Sequence, residues 1–308
     1  MDPTAVAAAA ARAIEASRAD ALVRDPYARV LATSVNTPSF PVRWPDPAEP
    51  ITPVDAPLLL GSIWLGLRTR AIDDAIAEWV TDSAPAGSTD IRQVVLLGAG
   101  LDARAWRLSW SPGTCVYEVD RAAVLDHKQS VLAREQLPAG VRRILVGVDI
   151  TQRWPQVLHQ AGHDPHRPTW WIVEGLLPYL PAEAARALLM HVAASPAGSR
   201  VALELAVPIP DTAAARARLT DMAAAIGVPL ADMLARIGGP DPVQVLTDAG
   251  WAVSVVDVDE LQIRYRRSLR DPRLVAALPK IGPATDTSAA EHGPSRAGLL
   301  FATRPAQA

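Results

Sequence analysis

Among 308 residues there is a single cysteine, Cys115, so no internal disulfide framework can form and no Cys-x-x-Cys metal site exists. Such cysteine usage suits a reducing, cytoplasmic setting. No stretch of about 18 uncharged apolar residues occurs, so no membrane span is expected. The alanine-rich start lacks the basic region of a secretory signal: Asp2 stands in its place, and Arg12 and Glu15 interrupt the apolar run. Nor is charge of one sign in excess. The net charge is −3 with 20% charged residues, which argues against an electrostatic nucleic-acid binder. Phenylalanine is scarce, with 2 residues against 9 Trp, so tryptophan is expected to fill the core or a pocket.

With 49% hydrophobic residues the chain can build one large core, or a core plus a cap. Residues 4–35 read as helix, punctuated at Asp25-Pro26-Tyr27, where Pro26 opens a new helix. Residues 36–57 carry seven prolines and read as an extended loop. Helix resumes around 58–82, with Trp64, Leu67, Ala71, Ile72, Ala75, Ile76 and Trp79 at helical spacing. From residue 93 the pattern changes. Short apolar runs at 93–97, 116–119, 144–146, 170–173 and 200–205 alternate with helical segments near 102–109, 121–136, 152–161 and 182–194. That alternation predicts an α/β fold with a doubly wound, mostly parallel sheet covered on both faces. After the fifth strand a helical insertion is expected over 207–240, with Asp211 as a cap and Gly227 as a stop. A helix at 242–249 and two strands at 251–258 and 297–303 complete seven, the last pair resembling a hairpin edge. The segments group as an N-terminal helical cap with its Pro-rich loop (1–82), a ligand-binding half (83–206), a helical lid (207–240) and the rest of the core (241–308).

Gly98-Ala99-Gly100-Leu101-Asp102-Ala103 sits between a strand and a helix, where glycine permits a tight turn and close approach of a ligand. The motif alone also suits a nicotinamide dinucleotide, or a turn with no ligand. Asp120 ends the second strand about 20 residues on, the place of a ribose-binding acid. Asp149 ends the third strand and Glu174 the fourth. In an open parallel sheet, ligands bind at the carboxyl ends of the strands, so the turn and the three acids should converge on one crevice. A dinucleotide has no need of Asp149 and Glu174. S-adenosylmethionine does, with an adenine amine to be accepted and a sulfonium-ammonium end to be matched. Each acid singly could instead be a helix cap.

The run Gln93–Leu108, then Glu118-Val-Asp120, Asp149-Ile150 and Glu174-Gly-Leu-Leu-Pro-Tyr-Leu180 resemble successive motifs of the leucine carboxyl methyltransferase family. That family includes polyketide carboxyl O-methyltransferases of the tetracenomycin type. Asp25-Pro-Tyr-Ala28, Arg68-Thr-Arg70 and Pro168-Thr-Trp170 extend the resemblance over about residues 4–304. It implies a class I methyltransferase fold with S-adenosyl-L-methionine as methyl donor and no metal. It also implies Gly98, with Ala99 and Gly100, under the methionine, Asp120 on the ribose and Asp149-Ile150 around the adenine. Glu174 would face the donor's charged end and Arg68 its carboxylate, with Arg12 at a second basic position. Ile150 stands where many relatives carry Leu. On a helix, Arg68 and Arg70 cannot point the same way. Arg70 has Asp73 and Asp74 at i+3 and i+4, which leaves Arg68 for the crevice.

The acceptor expected is a small acidic organic molecule, methylated on a carboxylate. A carboxylate is ionised at pH 7 and needs no general base, whereas a phenol would want one. No base stands out: Tyr179 and His292 are the weak candidates, and for His292 a loop histidine is the more common case. A phenol methyltransferase, a nicotinamide-dependent oxidoreductase and a non-catalytic nucleotide-binding regulator remain alternatives. His159, His163 and His166 are expected in a solvated loop rather than on a metal. Arg264-Tyr-Arg-Arg267 with Arg270 is expected as solvated charge, and Met190 as core.

Overall fold

The computed structural model describes residues 3–35, 40–82, 92–205, 239–277 and 297–306. Seven strands form one sheet: β1 (Gln93–Leu97), β2 (Cys115–Asp120), β3 (Arg142–Gly147), β4 (Thr169–Val173), β5 (Arg200–Leu205), β6 (Ala252–Asp257) and β7 (Gly298–Thr303). Their order is β3-β2-β1-β4-β5-β7-β6. The β1–β5 pairings are parallel, while β7 runs antiparallel between β5 and β6. This is the class I methyltransferase arrangement that the apolar runs and their resemblance implied. Every residue of β1 and β4 is buried, as the unbroken apolar runs Val94–Leu97 and Trp170–Val173 within them require of central strands covered on both faces. The chain winds outward from β1 to β3, then returns to lay β4 on the other side of β1. Loops after β1 and β4 therefore diverge, and a crevice opens between them at the carboxyl ends of the strands.

On one sheet face lie α1 (Pro3–Ala16), α2 (Ala28–Thr33) and α3 (Ala56–Asp82). Ile14, Leu67, Ile72 and Trp79 share one apolar core with Val94, Leu96 and Ile172. Trp79 meets Trp170 edge-on at 5.2 Å between centroids. On the other face α6 (Trp154–Gln160) and α7 (Ala182–Ala193) pack on Trp171, Val173 and Val201. Two buried indole N–H groups find acceptors, Trp171 on Ser195 Oγ (2.8 Å) and Trp251 on the Ala193 carbonyl (3.0 Å), whereas that of Trp170 has none among the described residues. No helix among the described residues is long and apolar enough to cross a membrane.

Several local expectations are corrected. The expected break at Asp25-Pro26-Tyr27 is present, with α2 starting at Ala28, but the first helix is shorter than expected: α1 already stops at Ala16. Glu15 turns back to accept from the Leu22 amide (2.7 Å) and from Arg267 (3.0 Å), which draws the following segment across the end of α1. Asp25 then caps α2, accepting from the Tyr27 and Ala28 amides. Arg267 is accordingly buried, not solvated charge. The segments expected as helix over 102–109 and 121–136 hold only α4 (Arg104–Arg107) and α5 (Ala122–Val131). Between β6 and β7 the described residues include two short helices, Val258–Arg264 and Pro272–Ala277, so the antiparallel pair is no simple hairpin. Met190 is 55% exposed, because it faces outward from α7 while Leu188 and Leu189 face the sheet. Nearly all of the expected 207–240 insertion, with Asp211 and Gly227, lies outside the described residues, as does His292.

His163 also departs from a solvated loop. It is buried, its Nε2 is 2.9 Å from Thr169 Oγ1, and its ring packs edge-on to Tyr117. Burial, with His191 nearby, lowers its pKa to about 4. A histidine that titrates at 6.5 when unfolded and near 4 when folded takes up its proton first in the unfolded chain. Its contribution is complete above pH 6.5 and is lost as the pH falls through that window. The wild type should therefore lose up to about 3 kcal/mol more than His163→Gln between pH 7 and 4 in urea titrations. Parallel pH profiles for the two proteins would contradict the assignment.

Candidate functional site

A cavity of about 670 Å³ occupies the crevice. It is lined by Gly98, Ala99 and Gly100 after β1, Asp120 at the end of β2, and Asp149 with Ile150 after β3. Glu174 and Tyr179 line it after β4, and Arg68 reaches it from α3. One cavity thus gathers all eight expected binding positions and one of the two candidate proton-handling groups. The helices on this side contribute Ala5, Ala8 and Ala11 from α1, and Leu58, Gly61 and Leu65 from α3.

The glycine turn is held by its own backbone. Gly98 and Ala99 donate to the Val119 carbonyl (2.9 and 3.1 Å), which fastens the turn to β2. Gly98 has φ +68°, and a Cβ there would sit 3.0 Å from Leu176 Cδ1, so both conformation and space call for glycine. Gly100 donates to Asp120 Oδ2 (2.7 Å), and the Arg121 amide to Asp120 Oδ1 (2.7 Å). Burial pushes the Asp120 carboxyl up, against these two amides. Asp149 is exposed at the other end of the cavity. Its Oδ1 takes both the hydroxyl and the amide of Thr151, which holds its pKa down and leaves Oδ2 for a ligand.

Beneath the crevice runs a chain of buried ion pairs centred on Arg104, whose side chain is 1% exposed. Its Nε donates to Asp73 of α3 (2.7 Å) and its Nη1 to Asp102 (2.5 Å). Two further bonds reach Glu174, from Nη1 at 2.6 Å and Nη2 at 3.2 Å. Burial alone would push Glu174 up, but Arg104 and Arg68 outweigh it and hold its pKa below the ordinary value. Burial also opposes the charge on Asp102, and Arg104, Arg12 and Arg107 overcome it, leaving it well below the usual carboxylate range. Arg107 pairs with Asp73, and Arg12 bonds both Asp25 (3.3 Å) and the Leu101 carbonyl (2.7 Å). Glu174 therefore enters the cavity as a compensated carboxylate rather than a free one.

Arg68 and Arg70 point apart, as helical geometry demands. Arg70 is exposed and bonds Asp74 (2.8 Å), whereas Arg68 is buried between Glu174 (3.4 Å) and Glu204 (2.6 Å). Arg104, Asp102 and Glu204 were not singled out in the sequence, and Asp73, expected as a possible partner of Arg70, pairs instead with Arg104 and Arg107. Asp102 and Arg104 carried a signal, being charges set within the apolar run after the glycine turn. Glu204 did too, since it stands near the end of the fifth strand as the acids stand at the ends of earlier ones. No group of three potential metal ligands occurs among the described residues.

Comparison with known proteins bears on this geometry. The family model described as leucine carboxyl methyltransferase matches residues 5–193, more than half of the chain. Relatives are named as candidate S-adenosyl-L-methionine-dependent methyltransferases. One from Streptomyces avermitilis is 44% identical over 207 residues, spanning 66% of this chain and 68% of its own. Another, from Saccharopolyspora erythraea, is 38% identical over 275 residues, spanning 87% and 89%. A third, from Frankia alni, is 39% identical over 273 residues, spanning 87% and 88%.

The ion-pair chain makes a stability prediction. Arg104→Met leaves Asp73, Asp102 and Glu174 buried without their shared partner, and removing one side of a buried ion pair costs about 3–5 kcal/mol. Urea denaturation should show a loss of that size. A loss below about 1 kcal/mol would mean that the carboxylates find water or other partners at no cost.

Proposed function

The chain belongs to the leucine carboxyl methyltransferase family, and from that premise we propose that it transfers a methyl group from S-adenosyl-L-methionine to a carboxylate oxygen of a small organic acid. The observation that carries this reading is the convergence of Gly98, Asp120 and Asp149, at three strand ends, on the cavity that Glu174 and Arg68 also line. The donor set fits. Asp120, already fixed by two amides, has lone pairs left for two ribose hydroxyls, and Asp149 Oδ2 suits the adenine amine. Ile150 supplies an apolar contact for the adenine, and the Gly98–Gly100 backbone leaves room for the methionine. Arg68 offers a planar guanidinium for its carboxylate. A volume of about 670 Å³ lies in the range of small-molecule sites.

Charge supports the same assignment. Following the ion pairs from Arg12 to Glu204 counts four guanidiniums (Arg12, Arg68, Arg104, Arg107) against five carboxylates (Asp25, Asp73, Asp102, Glu174, Glu204), an excess of one negative charge. A donor with a sulfonium, an ammonium and a carboxylate carries one positive charge, and its demethylated product carries none. A nicotinamide dinucleotide, with two phosphates, would meet that excess as repulsion and leave Asp149 and Glu174 without a task.

When bound, the donor supplies an electrophilic methyl on a sulfonium. The chain's part is alignment and exclusion of water. A carboxylate acceptor forms the new C–O bond as the S–C bond breaks. The electron pair returns to sulfur, and no proton moves. A base is not needed, which agrees with a cavity where Tyr179 is the one expected proton-handling group described. The small side chains of α1 and α3 form the wall that an acceptor would meet.

The test is product chemistry. With a panel of carboxylic acids and phenols, the account expects base-labile methyl esters that release methanol, and no ether. Asp120→Ala should raise the donor KM about tenfold or more, since charge-assisted bonds to ribose are worth about 1.5–3 kcal/mol each. Methyl ethers formed from phenols, or an unchanged KM in the variant, would overturn the acceptor and the ribose assignments respectively.

A further inference from the structure

We propose that Glu204 is a positioning residue that fixes the Arg68 guanidinium in the orientation the donor's carboxylate requires; this rests on the reading of the cavity as a donor site. Glu204 lies on β5, one strand beyond the acids that end β2 and β4, and it does not line the cavity itself. It is nonetheless held by three donors from two directions. Trp64 Nε1 of α3 donates to Oε1 (2.6 Å), while Arg68 Nη1 (2.6 Å) and the Gly175 amide (2.7 Å) donate to Oε2. The indole and the backbone amide are rigid, so they set where the carboxylate stands, and the carboxylate then sets where Arg68 stands.

The surroundings are built for this contact. Gly175 has φ +56°, and a Cβ there would lie 3.6 Å from Arg68 Nη1 and 3.7 Å from Glu204 Oε2. Left-handed backbone brings the Gly175 N–H onto Glu204 while its missing side chain lets the guanidinium lie alongside. Glu174 lies 3.4 Å from the Arg68 Nε on the other side, an ion pair without a hydrogen bond, so Glu204 is the carboxylate that holds the guanidinium by a direct hydrogen bond. A free arginine would have to be ordered at the moment of binding. Immobilising one such side chain costs about 0.5–1.5 kcal/mol, which is about two- to tenfold in affinity.

A rival role has the opposite sign. If Glu204 merely competed with the donor's carboxylate for Arg68, removing its charge would tighten binding. The experiment is calorimetric titration of wild type and Glu204→Gln with two probes, S-adenosylhomocysteine and methylthioadenosine. Both carry the adenosine thioether, but only the first carries the amino acid that Arg68 would grip. Positioning predicts that Glu204→Gln weakens S-adenosylhomocysteine about three- to tenfold and leaves methylthioadenosine within twofold. Equal weakening of both would make Glu204 a general structural support and overturn the proposal. Unchanged or tighter S-adenosylhomocysteine binding would also overturn it. Wild-type protein that binds neither probe would overturn the donor reading, and the proposal with it. If Glu204→Gln does not fold, Trp64→Phe removes one of the three donors and must weaken S-adenosylhomocysteine selectively, or the proposal fails.

Discussion

A guanidinium with almost no access to water must meet its charge inside the protein, and Arg104 does so with carboxylates from three separate elements. Asp73 comes from the long helix α3, Asp102 from the turn after β1, and Glu174 from the end of β4. Because desolvating any one of these charges alone is costly, the three elements can only be placed together. That requirement docks α3 over the crevice, pulls the glycine turn down onto the sheet and fixes the β4 end beside both. The site is thus a consequence of where buried charge can be balanced.

The turn itself is held from two sides by the same logic. Arg12 of α1 donates to the Leu101 carbonyl, and Lys128 of α5 donates to the Asp102 carbonyl at 2.9 Å. Lys128 is fully buried against Glu118, which Arg143 also binds, and Arg143 stacks over the Trp106 ring. Burial pulls the Lys128 pKa down while Glu118 works against it. Two groups of buried ions therefore grip adjacent backbone carbonyls, those of Leu101 and Asp102. Such rigidity suits a surface on which a ligand lies close to the main chain.

The sheet and the crevice were legible in the sequence because their signals are local. Val94–Leu97 and Trp170–Val173 are unbroken apolar runs, each followed within a residue or two by a glycine or an acid at the strand end. The eight expected binding positions, which all line one cavity, follow from that punctuation together with the family resemblance. What escaped notice depends on partners far along the chain. Arg104 meets residues 31 positions before it and 70 after, and Arg267 meets Glu15 at a separation of 252. Those contacts bury Arg267 while Arg264, Arg266 and Arg270 stay exposed as expected, and they accompany the end of the first helix at Ala16. Met190 failed for another reason: helical spacing alone did not say that it would face away from the sheet.

The most direct measurement is a crystal structure with S-adenosylhomocysteine soaked into the cavity. The account predicts the ribose hydroxyls on Asp120, the adenine amine toward Asp149 with Ile150 against the ring, and the amino-acid carboxylate on Arg68, whose ion pairs with Glu204 and Glu174 stay in place. A ligand bound with its adenosine turned away from Asp120 and Asp149, or an Arg68 that leaves both carboxylates to reach it, would contradict the account.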